Sequence, residues 1–117
     1  VPGAVSHTTA RTFCTIFGGD LASFASSLEY TIVNAYAAGF GVGQYWIGLQ
    51  KTGNIWSWID GSRLSFTNWR RRQPDRCCGG NVSCAIAGYG GRFGGMWDDT
   101  GCSTIPRGMD GYVCKLR

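Results

Sequence analysis

Six cysteines have the clearest potential for chemistry in this 117-residue chain, and five of them follow position 76. The six are Cys14, Cys77, Cys78, Cys84, Cys102 and Cys114. An even number of cysteines in a short, glycine-rich chain is typical of a disulfide framework formed in an oxidising compartment. Zinc sites usually need two close ligand pairs, often with histidine, and the single histidine, His7, is far from the cysteine cluster along the sequence. The sequence therefore favours disulfides and predicts a secreted, extracellular protein.

Two short segments carry oxygen ligands of the kind that calcium prefers. They are Gln73-Pro74-Asp75 and Trp97-Asp98-Asp99, and their carboxylates can supply the negative charge that the ion needs. Taken alone, Gln-Pro-Asp is most often an ordinary polar turn. The presence of the second acidic segment downstream favours a ligand set instead.

The sequence offers no convincing catalytic set, which would need a base with a nucleophile or a pair of separated carboxylates. His7 is expected to be a surface residue at the start of a helix, and the adjacent Asp98 and Asp99 are better explained as ligands. The sequence thus predicts a binding domain and not an enzyme.

A cluster of arginines surrounds the Gln-Pro-Asp segment. Arg70, Arg71 and Arg72 precede it and Arg76 follows it. Guanidinium groups pair bidentately with carboxylate and sulfate, so the cluster predicts a preference for anionic ligands, although consecutive arginines on a loop are equally often a solvated surface. The net charge of +4 is too small to indicate nucleic acid.

Composition indicates one folded domain that spans residues 1–117. Hydrophobic residues make up 44% of the chain and aromatic residues 14%, which is enough to build a core. The sequence has no apolar run long enough to span a bilayer, so we expect no membrane insertion.

The first half of the chain predicts two helices. The first has apolar residues at helical spacing: Ala10, Phe13, Cys14 and Phe17. Ser6 or Thr8 can cap its start, and Gly18-Gly19 ends it. The second begins with a capping box formed by Ser26 and Glu29. One face of this second helix is predicted to be apolar: Leu28, Ile32, Ala35 and Tyr36.

The second half predicts short strands at 45–49, 55–59, 66–69, 83–87 and 111–116, because these are compact apolar runs bounded by turn residues. A long loop runs from Arg70 to about Val82, and a glycine-rich loop covers 88–95. Helices followed by an antiparallel sheet indicate the α+β class.

Several motifs in order resemble the C-type lectin domain family, and together they cover nearly the whole chain. They are Gly18-Gly19-Asp20-Leu21-Ala22-Ser23 after the first helix, Trp46-Ile47-Gly48-Leu49, Trp58-Ile59-Asp60-Gly61, Phe66-Thr67-Asn68-Trp69, and the two acidic segments with Cys84, Cys102 and Cys114. The resemblance implies a C-type lectin-like fold with two helices, small antiparallel sheets and a long ligand-binding loop. The resemblance also implies a first strand ahead of the first helix, and this sequence is expected to lack it.

The resemblance implies two disulfides, Cys14–Cys114 and Cys84–Cys102. It also implies that two loops bring Gln73, Asp75, Asp98 and Asp99 together around calcium, and that the same side chains bind two neighbouring sugar hydroxyls. Cys77 and Cys78 are then left to form a vicinal disulfide or a bridge to a second chain, which would give an oligomer.

Two departures from the family pattern imply that calcium binds weakly. Val82, or Asn81 if the loop is one residue longer, stands where the family carries glutamate, and Asp98 stands where it usually carries asparagine. An aspartate binds calcium but cannot donate a hydrogen bond to a sugar. Asn81-Val82-Ser83 is also a glycosylation sequon, so Asn81 can carry a glycan, bind calcium or do neither.

The order of Gln73-Pro74-Asp75 resembles that of galactose-preferring members of the family. The sequence therefore predicts a secreted, calcium-dependent carbohydrate-binding module for galactose-type ligands. The alternative is a calcium-independent domain of the same fold that binds sulfated glycans or a protein partner.

Overall fold

The computed structural model describes residues 1, 3–53, 55–69, 82–89, 96–103, 105 and 108–116. The first half contains α1 (His7–Ile16), β1 (Gly19–Leu21) and α2 (Ser27–Gly39). The second half contains the strands β2 (Tyr45–Thr52), β3 (Ile55–Trp58), β4 (Val82–Tyr89), β5 (Met96–Gly101), β6 (Gly111–Tyr112) and β7 (Cys114–Leu116). The α+β prediction is confirmed.

Both helices begin at the serines that the sequence indicated. The Ser6 side chain accepts a hydrogen bond from the backbone N–H of Thr9 at 3.3 Å, and that of Ser26 accepts one from Glu29 at 3.1 Å. The reciprocal bond of the capping box is shifted by one residue, because the Glu29 carboxylate accepts from the N–H of Ala25 at 2.9 Å. These bonds satisfy backbone donors that a helix start leaves open.

The strands form two sheets. One has the order β3-β2-β4-β5 with β6 added parallel to β2, and the other pairs β1 with β7. The β2–β3 hairpin turns at Gly53, whose φ of +64° is a conformation that favours glycine. In this strand order, β5 forms one end of the larger sheet's main path, directly beside β4.

Two strand predictions need correction, and one strand was not predicted. Within 66–69, only Trp69 makes a β-bridge, and it pairs with Trp97. The predicted strand at 111–116 divides at Val113 into β6 and β7, because these two strands join different sheets. The strand β5 was not predicted, because its sequence has no alternating pattern that apolar residues alone would reveal.

The apolar face predicted for α2 points outward. Leu28, Ile32 and Tyr36 are 58 to 70% exposed, whereas Tyr30 and Ala37 are buried. The helix instead packs its Tyr30 side against the core, where the ring of Tyr30 meets that of Phe24 at 5.1 Å. Spacing in the sequence did not reveal which of two partly apolar faces would be covered.

His7 also differs from its prediction. It is the first residue of α1, as expected, but it is only 2% exposed. Its Nε2 atom lies 3.3 Å from the carbonyl oxygen of Ile47, and its ring meets Trp46 edge to face at 5.3 Å. Burial lowers the pKa of His7 to about 4, so the ring is neutral at physiological pH.

Two disulfides join Cys14 to Cys114 and Cys84 to Cys102, which are the pairs that the resemblance implied. The first ties α1 to β7, and the second ties β4 to the residue after β5. Cys77 and Cys78 lie outside the described residues, and their pairing stays a prediction. In the part of the chain that the structure describes, no helix is long and apolar enough to cross a bilayer.

Candidate functional site

Two of the three acidic residues predicted as ligands, Asp98 and Asp99, are consecutive on β5. Asp98 pairs with Ile86 and Asp99 with Ala85, both on β4. Asp99 is only 7% exposed, and Asp98 is half-buried. The Asp98 carboxylate accepts a hydrogen bond from the backbone N–H of Asp99 at 3.0 Å. The paired strands therefore hold both carboxylates on a fixed backbone.

The chain on either side of segment 70–81 is anchored to this same strand. On one side Trp69 bridges to Trp97, and the N–H of Trp97 donates to the carbonyl of Asn68 at 2.8 Å. On the other side Val82 pairs with Gly101. The described residues that flank the segment, Trp69 and Val82, therefore contact β5 at Trp97 and at Gly101, with the two aspartates between these points.

Most of the other predicted site residues lie outside the described residues. They are Arg70, Arg71, Arg72, Gln73, Asp75, Arg76 and Asn81. Gln73 and Asp75 follow Trp69 by four and six positions, and six extended residues span at most about 20 Å. This upper limit allows both residues to reach Asp98 and Asp99, and their positions stay predictions.

A cluster of aromatic rings packs around Trp97 on β5, the strand that carries the two aspartates. Trp97 is fully buried, and its ring lies 6.0 Å from that of Trp69 and 5.6 Å from those of Trp58 and Tyr30. Trp58 is also buried in the core, and the half-buried Trp69 packs against it. Close packing of these rings restricts the movement of Trp97 and of the two aspartates that follow it.

Two tyrosines buried in the same core, Tyr30 and Tyr45, each keep one protonation state. Tyr45 donates a hydrogen bond to the Asn34 side chain at 2.9 Å, and burial raises the pKa of both Tyr30 and Tyr45. Both phenols therefore stay protonated across the ordinary pH range. The sequence analysis named neither tyrosine, because an isolated tyrosine within a helix or strand carries no motif.

Two grooves in the described part of the chain lie away from the aspartates. An apolar groove of about 510 Å³ is lined mainly by α2 and by Val113 and Cys114. A polar groove of about 350 Å³ is lined by Asp20, Asp60 and Lys115 among others. Asp20 is already bound by Arg11 at 3.1 Å, and Asp60 accepts from Ser23. Neither groove includes Asp98 or Asp99.

One protein-family model matches nearly all of this chain. The family model for the lectin C-type domain matches residues 4–116. The C-type lectin BfL-1 of Bungarus fasciatus is 32% identical over 102 residues, which are 82% of this chain and 63% of that protein. A C-type lectin galactose-binding isoform of Pseudechis australis has the same identity and coverage. Ladderlectin of Oncorhynchus mykiss is 30% identical over 93% of this chain and 58% of its own length. The chain thus spans about three fifths of these relatives.

Solved structures agree with this assignment. The C-type lectin CEL-I from Cucumaria echinata superposes with a TM-score of 0.79 at 27% identity, covering 97% of this chain and 84% of the other. The cow C-type carbohydrate-recognition domain of CD23, solved with a GlcNAc2Man3 oligosaccharide, gives 0.81 at 27% identity over 99% and 84%. A Ca2+-dependent type II antifreeze protein in its Ca2+-free form gives 0.80 at 28% identity over 97% and 85%.

Fold, disulfides and relatives therefore agree. Two helices, antiparallel sheets and the two disulfides form the C-type lectin-like fold. The relatives belong to a carbohydrate-binding family of non-enzymatic proteins, and they do not favour the calcium-independent alternative. This chain belongs to the C-type lectin domain family.

Proposed function

We propose that this domain binds carbohydrate through a calcium ion held by Gln73, Asp75, Asp98 and Asp99, with Asn81 as a further oxygen donor. One observation carries the proposal. Asp98 and Asp99 lie on β5 between the two points, Trp97 and Gly101, at which the flanks of segment 70–81 pair with the strand. The described residues that flank that segment thus contact β5 on both sides of the two carboxylates.

The described residues fit such an ion. Asp99 is a carboxylate that is 7% exposed on a paired strand, and calcium prefers carboxylate and amide oxygens. The bound ion would supply positive charge and open positions for two sugar hydroxyls. Asp98 can only accept hydrogen bonds from those hydroxyls, whereas the Gln73 amide can also donate. The donor and acceptor pattern would therefore select which pair of hydroxyls fits.

The proposed ligands are galactose-type sugars. The order of Gln73 before Asp75 is the feature that supports this choice, and a galactose-binding isoform is among the relatives with 32% identity. Competition between free galactose and mannose for the immobilised domain tests the choice. Mannose competing better than galactose would contradict it.

The arginine cluster adds a preference within this function. Arg70, Arg71, Arg72 and Arg76 flank the proposed ligands in the sequence, and guanidinium groups bind sulfate and carboxylate bidentately. We expect sulfated galactose-type glycans to bind more tightly than neutral ones, with an advantage that weakens as salt rises. Replacing Arg70, Arg71 and Arg72 with serine should remove this advantage without changing the melting temperature. Equal binding of a sulfated polymer by that variant would show that these arginines are only a solvated surface.

The proposed location is extracellular. Disulfides persist in oxidising compartments, and this domain has one that joins α1 to the last strand. Calcium is also available there at the millimolar levels that weak sites need.

The decisive experiment combines calorimetry with a glycan array. We expect calcium to bind with a Kd of roughly 10⁻⁴ to 10⁻³ M. Asp75→Ala should abolish that binding, and Asp99→Asn, which keeps an oxygen ligand but loses its charge, should weaken it about tenfold. Asp60→Asn is the matched control, because its carboxylate contacts Ser23 and Ser62 instead. Glycan binding should disappear in chelator. Absence of calcium heat at millimolar concentration, or glycan binding that chelator leaves unchanged, would contradict the proposal.

A further inference from the structure

His7 is buried against a disulfide that is distant from it in the sequence. One of its ring nitrogens and the sulfur atoms of Cys84 and Cys102 all lie within 4.8 Å of one another. His7 is 2% exposed and Cys84 is fully buried, whereas Cys102 is half-buried. The fold therefore brings together one nitrogen and two sulfurs, with solvent access on the Cys102 side.

The hydrogen bond of His7 fixes which nitrogen is available. Nε2 lies 3.3 Å from the carbonyl oxygen of Ile47, and a carbonyl can only accept, so Nε2 carries the proton. The lone pair is then on Nδ1. Histidines that bind metals usually donate their other N–H to a carbonyl or carboxylate in this way.

We propose that reduction of the Cys84–Cys102 disulfide creates a binding site for a thiophilic divalent metal ion, of which Zn²⁺ is the type, with His7, Cys84 and Cys102 as ligands. A dithiol reductant breaks the sulfur–sulfur bond, gives two electrons and two protons to the cysteine sulfurs, and becomes a disulfide itself. Metal binding then displaces the two thiol protons to solvent. The site is closed while the disulfide is intact, because its sulfurs are bonded to each other.

The backbone around the site does not depend on this disulfide alone. Cys84 is held in β4, where it pairs with Thr100 of β5. The carbonyl of Cys102 accepts from the N–H of Thr8 at 3.4 Å, which links it to the start of α1. A paired strand and a helix start thus keep the three ligands adjacent after the covalent bond is broken.

Charge balance favours a divalent cation over a monovalent or trivalent one. Two thiolates carry two negative charges, the imidazole is neutral, and a divalent cation makes the complex neutral. A neutral complex is the form that a buried site tolerates, because an uncompensated buried charge is costly. Thiolate and imidazole ligands suit Zn²⁺ better than calcium or magnesium, and three protein ligands leave one position for water.

The test uses cobalt as a spectroscopic probe for zinc. The full chain carrying Cys77→Ser and Cys78→Ser is reduced with a phosphine, which takes up the oxygen of water and leaves its two protons on the sulfurs. We expect one Co²⁺ ion to bind with sulfur-to-cobalt charge-transfer absorption, and Zn²⁺ to displace it. The same chain without reductant should show no such band.

His7→Gln is the matched variant, since it keeps every cysteine. We expect it to bind Co²⁺ at least tenfold more weakly than its parent after reduction. Cys102→Ser provides a second variant, in which a half-buried hydroxyl replaces one ligand, and we expect the same loss. Equal Co²⁺ affinity in parent and variants would overturn the proposal, and this includes the case in which reduction unfolds the chain and its thiols bind without His7.

Discussion

Trp69 and Trp97 are joined by an isolated parallel β-bridge, and their rings meet edge to face with 6.0 Å between the centroids. This pair is the last described contact before segment 70–81. The bridge therefore fixes Trp69, the last described residue before the proposed calcium ligands Gln73 and Asp75, beside β5.

Trp69→Ala should loosen this anchor. We expect calcium affinity to fall about tenfold, as it does when residues that orient metal ligands are lost, and the free energy of unfolding to fall by about 2 kcal/mol, because a half-buried tryptophan side chain is removed. Trp69→Phe keeps a ring against Trp97 and should retain most of both quantities. Calorimetry and urea denaturation measure them. Unchanged calcium affinity in Trp69→Ala would show that the bridge does not position the site.

Gly48→Ala should destabilise the fold. A Cβ atom at Gly48 would lie 2.5 Å from the carbonyl oxygen of Leu21 and 3.1 Å from that of Ala22, so backbone must move, and we expect a loss of about 2 kcal/mol. Gly39→Ala is the matched control, because nothing lies within 4 Å of its added Cβ and alanine favours a helix. We expect that variant to be slightly more stable than the parent. A larger loss in Gly39→Ala than in Gly48→Ala would contradict the packing argument.

The two disulfides should differ in their contributions to stability. Cys14–Cys114 closes 100 positions of sequence, whereas Cys84–Cys102 closes 18. In the loop-entropy model these correspond to about 4.7 and about 3 kcal/mol. Denaturation of the two double-alanine variants should therefore show the larger loss for the long loop. The reverse order would mean that local packing at Cys84 and Cys102 outweighs chain entropy.

Burial of His7 should make stability depend on pH in the acid range. Its pKa falls from 6.5 to about 4 because burial disfavours the charged ring, with nearby Arg11 lowering it further and Asp20 and the Ile47 carbonyl opposing the shift. The unfolded chain therefore binds this proton first as pH falls. The stabilisation is complete above about pH 6.5 and is lost towards pH 4, a change of about 3 kcal/mol.

His7→Gln isolates this effect from that of the carboxylates. The difference in unfolding free energy between parent and variant should change by about 3 kcal/mol between pH 7 and pH 4. A difference that stays constant over this interval would mean that burial does not lower the pKa of His7 in the folded chain.

The sequence indicated the helix starts and most strands because these depend on local chemistry. Ser6 and Ser26 cap helices through bonds to residues three positions away, and the hairpin at Gly53 needs a conformation that glycine adopts easily. Such short-range rules can be applied to a sequence without knowledge of the tertiary fold. The order of the C-type lectin motifs supplied the topology that local rules could not.

Predictions that depended on long-range packing were less successful. Ile32 and Tyr36 are spaced like a buried face but are exposed, because the core contacts the Tyr30 side of α2. His7 was expected on the surface and far from the cysteines, yet the fold places it against Cys84 and Cys102. For the candidate site, the choice of Asp98 and Asp99 as ligands stays a prediction. The sequence did not indicate the Trp69–Trp97 bridge, since backbone pairing at a single residue carries no sequence signal.

The Cys14–Cys114 bond also determines how the domain would carry mechanical load. A force that pulls the two flanks of the chain apart passes from Cys14 to Cys114 through a covalent bond, so only residues outside that pair can be extended. The five-stranded sheet and both proposed ligand segments lie within the closed loop and bear none of the tension. A carbohydrate bound at β5 as proposed would therefore keep its binding geometry while the two flanks of the chain are pulled apart.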